Sequence, residues 1–202
     1  STLGALVEPL AVGLHAVTVG RIRRGETCLV LGAGPVGLAA ALWARHFGAG
    51  QVIVSEITPA RRALAERMGA TQSLDPRAAG LDSSLAEFAP EGPELVFEAV
   101  GAPGVIAEAI DRVRFRGRVV VAGLGFSADT IQPLAATSKE VSLSFVLAYE
   151  KDDFQYTVDM MEQERIEPLP IVTDRIGLDE VPGAFRALAE PDSQCKVMVY
   201  PD

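Results

Sequence analysis

Thr27-Cys28-Leu29-Val30-Leu31-Gly32-Ala33-Gly34-Pro35-Val36-Gly37-Leu38 decides the reading of this chain, because an apolar run of strand type passes into helical periodicity across three glycines. Residues 27–31 read as a short buried strand, and Val36, Ala39, Ala40, Trp43 and Phe47 then recur at helical spacing to give one apolar face. G-x-G-x-x-G between a strand and a helix is the fingerprint of a dinucleotide-binding turn, in which each glycine has its own task. Gly32 permits the tight turn, Gly34 lets main chain approach a pyrophosphate, and Gly37 lets the helix pack closely on the sheet. The helix start offers unpaired N–H groups and a positive dipole end to phosphate. Pro35 and Val36 open that helix, where a proline gives up only an N–H that would have no partner.

The fingerprint has a second half. Residues 51–55 read as the next strand, and it ends at Glu56, 19 residues after Gly37. That is close to the offset of ~20 residues at which an acid receives the adenosine ribose hydroxyls. The alternative role for Glu56 is to end a strand and favour the N-terminus of a helix over 59–68.

Strand and helix alternate from residue 27 to about 147. Strands are predicted over 27–31, 51–55, 71–74, 95–98, 117–122 and 141–146, and helices over 35–47, 59–68, 81–88 and 103–113, with a short turn near 134–138. Such alternation predicts an α/β fold, a doubly wound parallel six-stranded Rossmann sheet covered on both faces. Ligands of such sheets lie outside the carboxyl ends of the strands at the switch point, which nominates Ala99, Val100 and Gly101, then Ala122, Gly123 and Leu124. Ordinary strand-ending glycines are the competing explanation there.

Composition narrows the function classes. The chain has 202 residues, 49% of them hydrophobic, and a net charge of −9. The one basic run, Arg21-Ile22-Arg23-Arg24, is too small for a phosphate-binding surface, so no nucleic-acid partner is expected. Apolar runs fall short of the ~20 residues that span a bilayer, and residues 1–19 lack the basic start of a signal peptide. No membrane partner and a cytoplasmic location are therefore expected. Two cysteines, Cys28 and Cys195, make no disulfide framework, and His15 and His46 fall on separate helices as surface or interface residues.

Two segments stand outside the sheet pattern. Residues 1–20 read as a linking helix opened by Glu8-Pro9, ahead of the dinucleotide-binding domain over 21–147. Residues 148–202 read as helix, strand (171–175), helix (178–189) and strand (196–200), with Phe154, Val158, Met161, Phe185 and Leu188 on helical faces. That tail is short for a core of its own and is expected to belong to a second domain.

The chain resembles the zinc-containing medium-chain alcohol and polyol dehydrogenases, a group that includes sorbitol, threonine and butanediol dehydrogenases. The resemblance rests on the run from Gly4 through Glu8-Pro9 to Ala16, on Val30 to Gly37, on Val54-Ser55-Glu56 followed by Arg61, on Phe97 to Gly101, and on Cys195 to Val199. It implies the cofactor-binding domain plus a C-terminal segment of the catalytic domain, without the N-terminal catalytic half, and so a chain inactive alone. It also implies NAD as cofactor, zinc in the full-length enzyme only, a small-molecule alcohol or ketone substrate, and a homodimer or tetramer. By the same resemblance Arg61 joins Glu56 at the adenosine ribose, and Phe145 borders the nicotinamide half. Lys196 reaches the pyrophosphate, or is a solvated strand-end lysine. Glu8 matches a position near the catalytic zinc, or merely favours a helix N-terminus. No catalytic residue is assigned. The alternatives are a zinc-free NADPH-dependent quinone or enone reductase, a methyltransferase with a related sheet, and a non-catalytic nucleotide-binding module.

Overall fold

The computed structural model describes residues 2–188 and 193–201. Its main sheet has six parallel strands in the order β3-β2-β1-β4-β5-β6. They are β1 (Thr27–Leu31), β2 (Gln51–Ser55), β3 (Gln72–Leu74), β4 (Leu95–Glu98), β5 (Arg118–Val121) and β6 (Ser142–Phe145). The crossover helices are α2 (Pro35–His46), α3 (Pro59–Arg67), α4 (Leu81–Phe88), α5 (Val105–Arg112) and α6 (Pro133–Ser138), with α1 (Val7–Gly20) ahead of the sheet. The strand order reverses at β1, which pairs with β2 (Leu31 opposite Ser55) and with β4 (Leu31 opposite Glu98). The doubly wound sheet expected from the sequence is the one observed.

The two-residue period of β1 explains the two cores. Cys28 and Val30 face α1 and α2, packing with Leu10, Leu14, Leu38 and Trp43. Leu29 and Leu31 face the other way, toward Leu85 of α4 and Ile110 of α5. Burying both faces favours the unbroken β-branched and leucine runs found in these strands. On the first face, α1 crosses α2 so closely that a Cβ on Gly13 would lie 2.4 Å from the Ala39 Cβ. Trp43 is fully buried there, and its indole N–H donates to the Leu10 carbonyl at 2.8 Å.

The C-terminal segment contributes α7 (Lys151–Glu162), β7 (Val172–Gly177), α8 (Val181–Ala187) and β8 (Lys196–Tyr200); β7 and β8 form a separate two-stranded parallel sheet. Its buried residues Ile166, Ile171, Cys195 and Met198 join the core beneath α1 and α2. The side of α7 that packs inward carries polar residues that the apolar pattern passed over. Asp153 and Thr157 are buried, and the Asp153 carboxylate binds His15 Nδ1 of α1 at 2.8 Å and the Glu150 amide at 2.9 Å. Phe154 and Phe185, read as part of the apolar helical faces of this tail, are 37% and 78% exposed.

Other boundaries differ for local reasons. The helix expected from residue 103 starts at Val105, because Gly104 has φ +87°, a left-handed conformation that no α-helix can include. The strand expected over 171–175 begins at Val172, after a single tight turn at Leu169–Ile171. The helix expected over 178–189 is a tight turn at Leu178–Glu180 followed by α8; residue 189 lies outside the described residues. The turn near 134–138 is the helix α6. Among the described residues, no helix is long and apolar enough to cross a membrane.

Candidate functional site

The glycine turn after β1 has the three backbone features that its sequence required. Gly32 has φ +94° and donates its N–H to the Ser55 carbonyl at 2.8 Å, a conformation costly for a residue with a Cβ. Gly34 caps α2, and a Cβ added to it would meet nothing within 4 Å, so the main chain there is open to a ligand. Gly37 is the close contact: a Cβ would lie 2.0 Å from the Gly32 carbonyl oxygen. Pro35, Val36 and Gly37 form the first turn of α2, whose free amides and positive dipole end suit an anion.

Glu56 lies directly after β2 and is only 6% exposed. One carboxylate oxygen accepts the Ala33 amide of the glycine turn and the other accepts the Thr58 amide ahead of α3, each at 2.8 Å. A carboxylate has about four acceptor positions, so Glu56 anchors the turn and keeps acceptor capacity for a ligand hydroxyl. The neighbouring cations are engaged. Arg61 donates from Nε and Nη2 to the Gln194 carbonyl at 2.9 and 2.6 Å, so this group, expected at a ribose, also ties α3 to the C-terminal segment. Arg62 donates to the carbonyls of Glu56 and Ile57 and pairs with Asp75 at 3.1 Å.

A cleft of about 720 Å³ opens at the carboxyl ends of β1, β2 and β4, lined by Gly32, Gly34, Glu56, Arg61, Ala99 and Val100. This is within the usual range for small-molecule sites. Thr58, Pro76, Val105 and Glu108 also line it; no local sequence signal marks them, because the approach of the α5 start to the β3 end is a tertiary contact. A second cavity of about 230 Å³ takes in Glu98, Gly101, Gly123, Leu124 and Phe145. The expected contact residues thus divide between two neighbouring cavities. Ala122 lines neither; it stands between Val121 and Gly123 of the second cavity, with its amide on the Glu98 carbonyl at 2.8 Å. Lys196 is half-buried in β8 and lines neither cavity.

Glu8 is exposed in the first turn of α1. Among the described residues, no group of three or more His, Cys, Asp or Glu side chains is placed to hold a metal ion. Burial shifts both thiols and His46. Burial pushes the Cys28 thiol up to about 12, helped by the nearby Glu26 carboxylate, and burial pushes Cys195 up to about 11. His46, whose ring lies 3.4 Å from the Tyr156 hydroxyl, is held below the usual histidine value by burial and then by Arg165.

Known proteins share this arrangement. A family model described as zinc-binding dehydrogenase matches residues 35–163. The chain is 30% identical to (R,R)-butanediol dehydrogenase of Bacillus subtilis over 200 residues, which cover 98% of this chain and 58% of that protein. It is 33% identical to human sorbitol dehydrogenase over 187 residues, covering 90% of this chain and 52% of the relative. The chain spans about half the length of the curated relatives it matches. Among solved structures, 2R,3R-butanediol dehydrogenase from B. subtilis aligns with a TM-score of 0.88 at 30% identity, covering 98% of this chain and 57% of that one. A protein from Sinorhizobium meliloti described as a zinc-binding dehydrogenase, solved bound to NADP, aligns with a TM-score of 0.89 at 30% identity, covering 98% and 59%.

A thiolate, not a thiol, is the reactive form of cysteine. Because both thiols are pushed up to about 11 or 12, neither should react with iodoacetamide in the folded protein at pH 8. Modification should grow only as pH approaches 11, and both should react at pH 8 in denaturant. Rapid labelling of the folded protein at pH 8, read by mass spectrometry, would contradict this burial.

Proposed function

The chain belongs to the zinc-binding dehydrogenase family, and on that footing we propose that it forms the NAD-binding portion of an alcohol or polyol dehydrogenase. In this reading the whole protein transfers hydride reversibly between a secondary alcohol and NAD. The observation that carries the reading is the pairing, in one cleft, of open main chain at Gly34 with the Glu56 carboxylate. These are the features a pyrophosphate and an adenosine ribose require.

NAD, when bound, supplies the hydride acceptor at its nicotinamide ring. The chain's own residues bind and orient it. Gly32, Gly34 and the amides opening α2 receive the pyrophosphate, while Glu56 accepts from the ribose hydroxyls with Arg61 beside it. The turns at Ala99–Gly101 and Ala122–Leu124, with Phe145, border the cofactor from the adenine-side ribose through the nicotinamide ribose to the carboxamide. Zinc needs three or four ligands, and the described residues do not assemble them around Glu8. Glu8 is proposed as one contact of a site completed by other residues, and Lys196 as a further basic group toward the pyrophosphate. Residues 1–20 and 148–202 are read as parts of a catalytic domain flanking the cofactor domain over 21–147. The substrate is a small alcohol or ketone, and the location cytoplasmic, in keeping with two free thiols. A homodimer through the edge strand β6 suits the 68% and 74% exposure of Phe145 and Leu147 there. Light scattering that found only monomer at high concentration would remove that element.

The NADP-bound relative raises the alternative of an NADP-dependent reductase. Two features favour NAD. Glu56 would repel a 2′-phosphate, and to meet one, Arg61 would have to leave the Gln194 carbonyl and Arg62 would have to leave Asp75. Calorimetry should therefore find NAD binding at least about tenfold tighter than NADP, a difference of about 1.4 kcal/mol. Glu56→Ser should narrow that ratio while lowering stability by about 1–3 kcal/mol, since two loop amides lose their acceptor. Equal affinity of the unaltered chain for NAD and NADP would reject the assignment of Glu56.

A further inference from the structure

One buried group lies outside every role assigned so far. Glu98 ends β4, is 1% exposed, and has no opposite charge within ion-pair distance among the described residues. Its Oε1 accepts two amides of the turn that follows it, Val100 N–H and Gly101 N–H, each at 2.7 Å. Its main-chain carbonyl accepts two more from the turn after β5, Ala122 N–H at 2.8 Å and Gly123 N–H at 2.9 Å. The side chain thus holds the turn after β4, and the main-chain carbonyl of the same position holds the turn after β5. Its Oε2 is buried without a hydrogen-bond partner and faces Gly123, where a Cβ would lie 2.6 Å away.

The two turns are in backbone contact above that carboxylate. Gly101 has φ +73°, and a Cβ on it would strike the Leu124 carbonyl oxygen at 2.6 Å. A Cβ on Gly123 would lie 2.3 Å from the Gly101 nitrogen. The same turn abuts the glycine turn after β1, since the Val100 side chain would lie 2.8 Å from a Cβ on Gly32. Outward from this packed layer, Val100 and Leu124 are 50% and 62% exposed. A buried carboxylate that receives two backbone amides on one oxygen fixes the orientation of those peptide planes, and it is costly to leave unpaired.

We propose that Glu98 is a positioning residue for the nicotinamide half of the cofactor. It sets the Val100–Gly101 and Gly123–Leu124 turns as one rigid wall, while the adenosine half depends on Gly34 and Glu56. The inference rests on the NAD-binding reading above and deepens it. Gly101 and Gly123 are the matching requirement in the main chain, because any side chain at either position breaks the wall.

The test compares two ligands on the same chain: ADP, followed by calorimetry, and NADH, followed by the emission of its dihydronicotinamide ring. In Glu98→Leu the dissociation constant for NADH should rise at least about tenfold, and that for ADP by no more than about threefold, since Val100 also borders the cleft at Glu56. Glu98→Gln retains an acceptor for the two amides and should hold NADH within about threefold. Should Glu98→Leu fail to fold, Gly123→Ala gives the same contrast, because its methyl group meets the carboxylate and the Gly101 amide. Equal weakening of ADP and NADH, or no weakening of NADH, would overturn the positioning role; so would a Glu98→Gln protein as weak as Glu98→Leu. An unaltered chain that bound neither ADP nor NADH would overturn the cofactor reading and this inference with it.

Discussion

Parallel strands end with amides that have no further ladder partner, and where those ends form a ligand cleft the amides cannot all be left to water. In this protein two buried carboxylates take that place. Glu56 receives the amides of Ala33 and Thr58, and Glu98 receives those of Val100 and Gly101. They stand at the ends of β2 and β4, on either side of β1, where the strand order reverses. Each anchors the turn that a ligand would touch from the opposite side. The cleft is therefore built by charge-assisted hydrogen bonds as much as by its glycines, and the glycines supply the room in which those bonds form.

The rest of the fold supports this crossing of strands. The close approach of α1 to α2 at Gly13 and Ala39 seats α2 firmly, and that helix carries the free amides at the cleft. The C-terminal segment is tied to the same body at two places. Its α7 meets α1 through Asp153 and His15, and its Gln194 carbonyl receives the Arg61 guanidinium from α3. Arg61 thus lies at the border of the cleft and the C-terminal segment, so the seating of one is felt by the other.

Much of this was legible in the sequence because it is local. The run from Thr27 to Leu38 contains its own strand, turn and helix start, and alternation of period two and period 3.6 fixes the order of elements around it. The position of Glu56 follows from the same local unit. What the sequence could not show depends on distant partners. Asp153 and Thr157 look like a solvated helix face until His15 is brought against them. Arg61 reads as a ribose contact, and nothing local announces its tie to the Gln194 carbonyl 133 residues later. Glu98 looked like the last residue of an apolar strand. A charged residue ending a strand buried on both faces was the available signal, since such a carboxylate is rarely buried without amides to receive. Pro103 suits a helix start, whereas the left-handed Gly104 behind it does not, so α5 begins at Val105.

The central claim is that the cleft between the β1 and β2 ends is a dinucleotide site with its acid at the ribose. A crystal structure of the chain grown with NAD tests it most directly. The account predicts the pyrophosphate against the amides that open α2 beside Gly34, and the adenosine ribose hydroxyls on the Glu56 carboxylate. A dinucleotide found elsewhere on the surface, or one whose phosphate rather than ribose lies against Glu56, would contradict it.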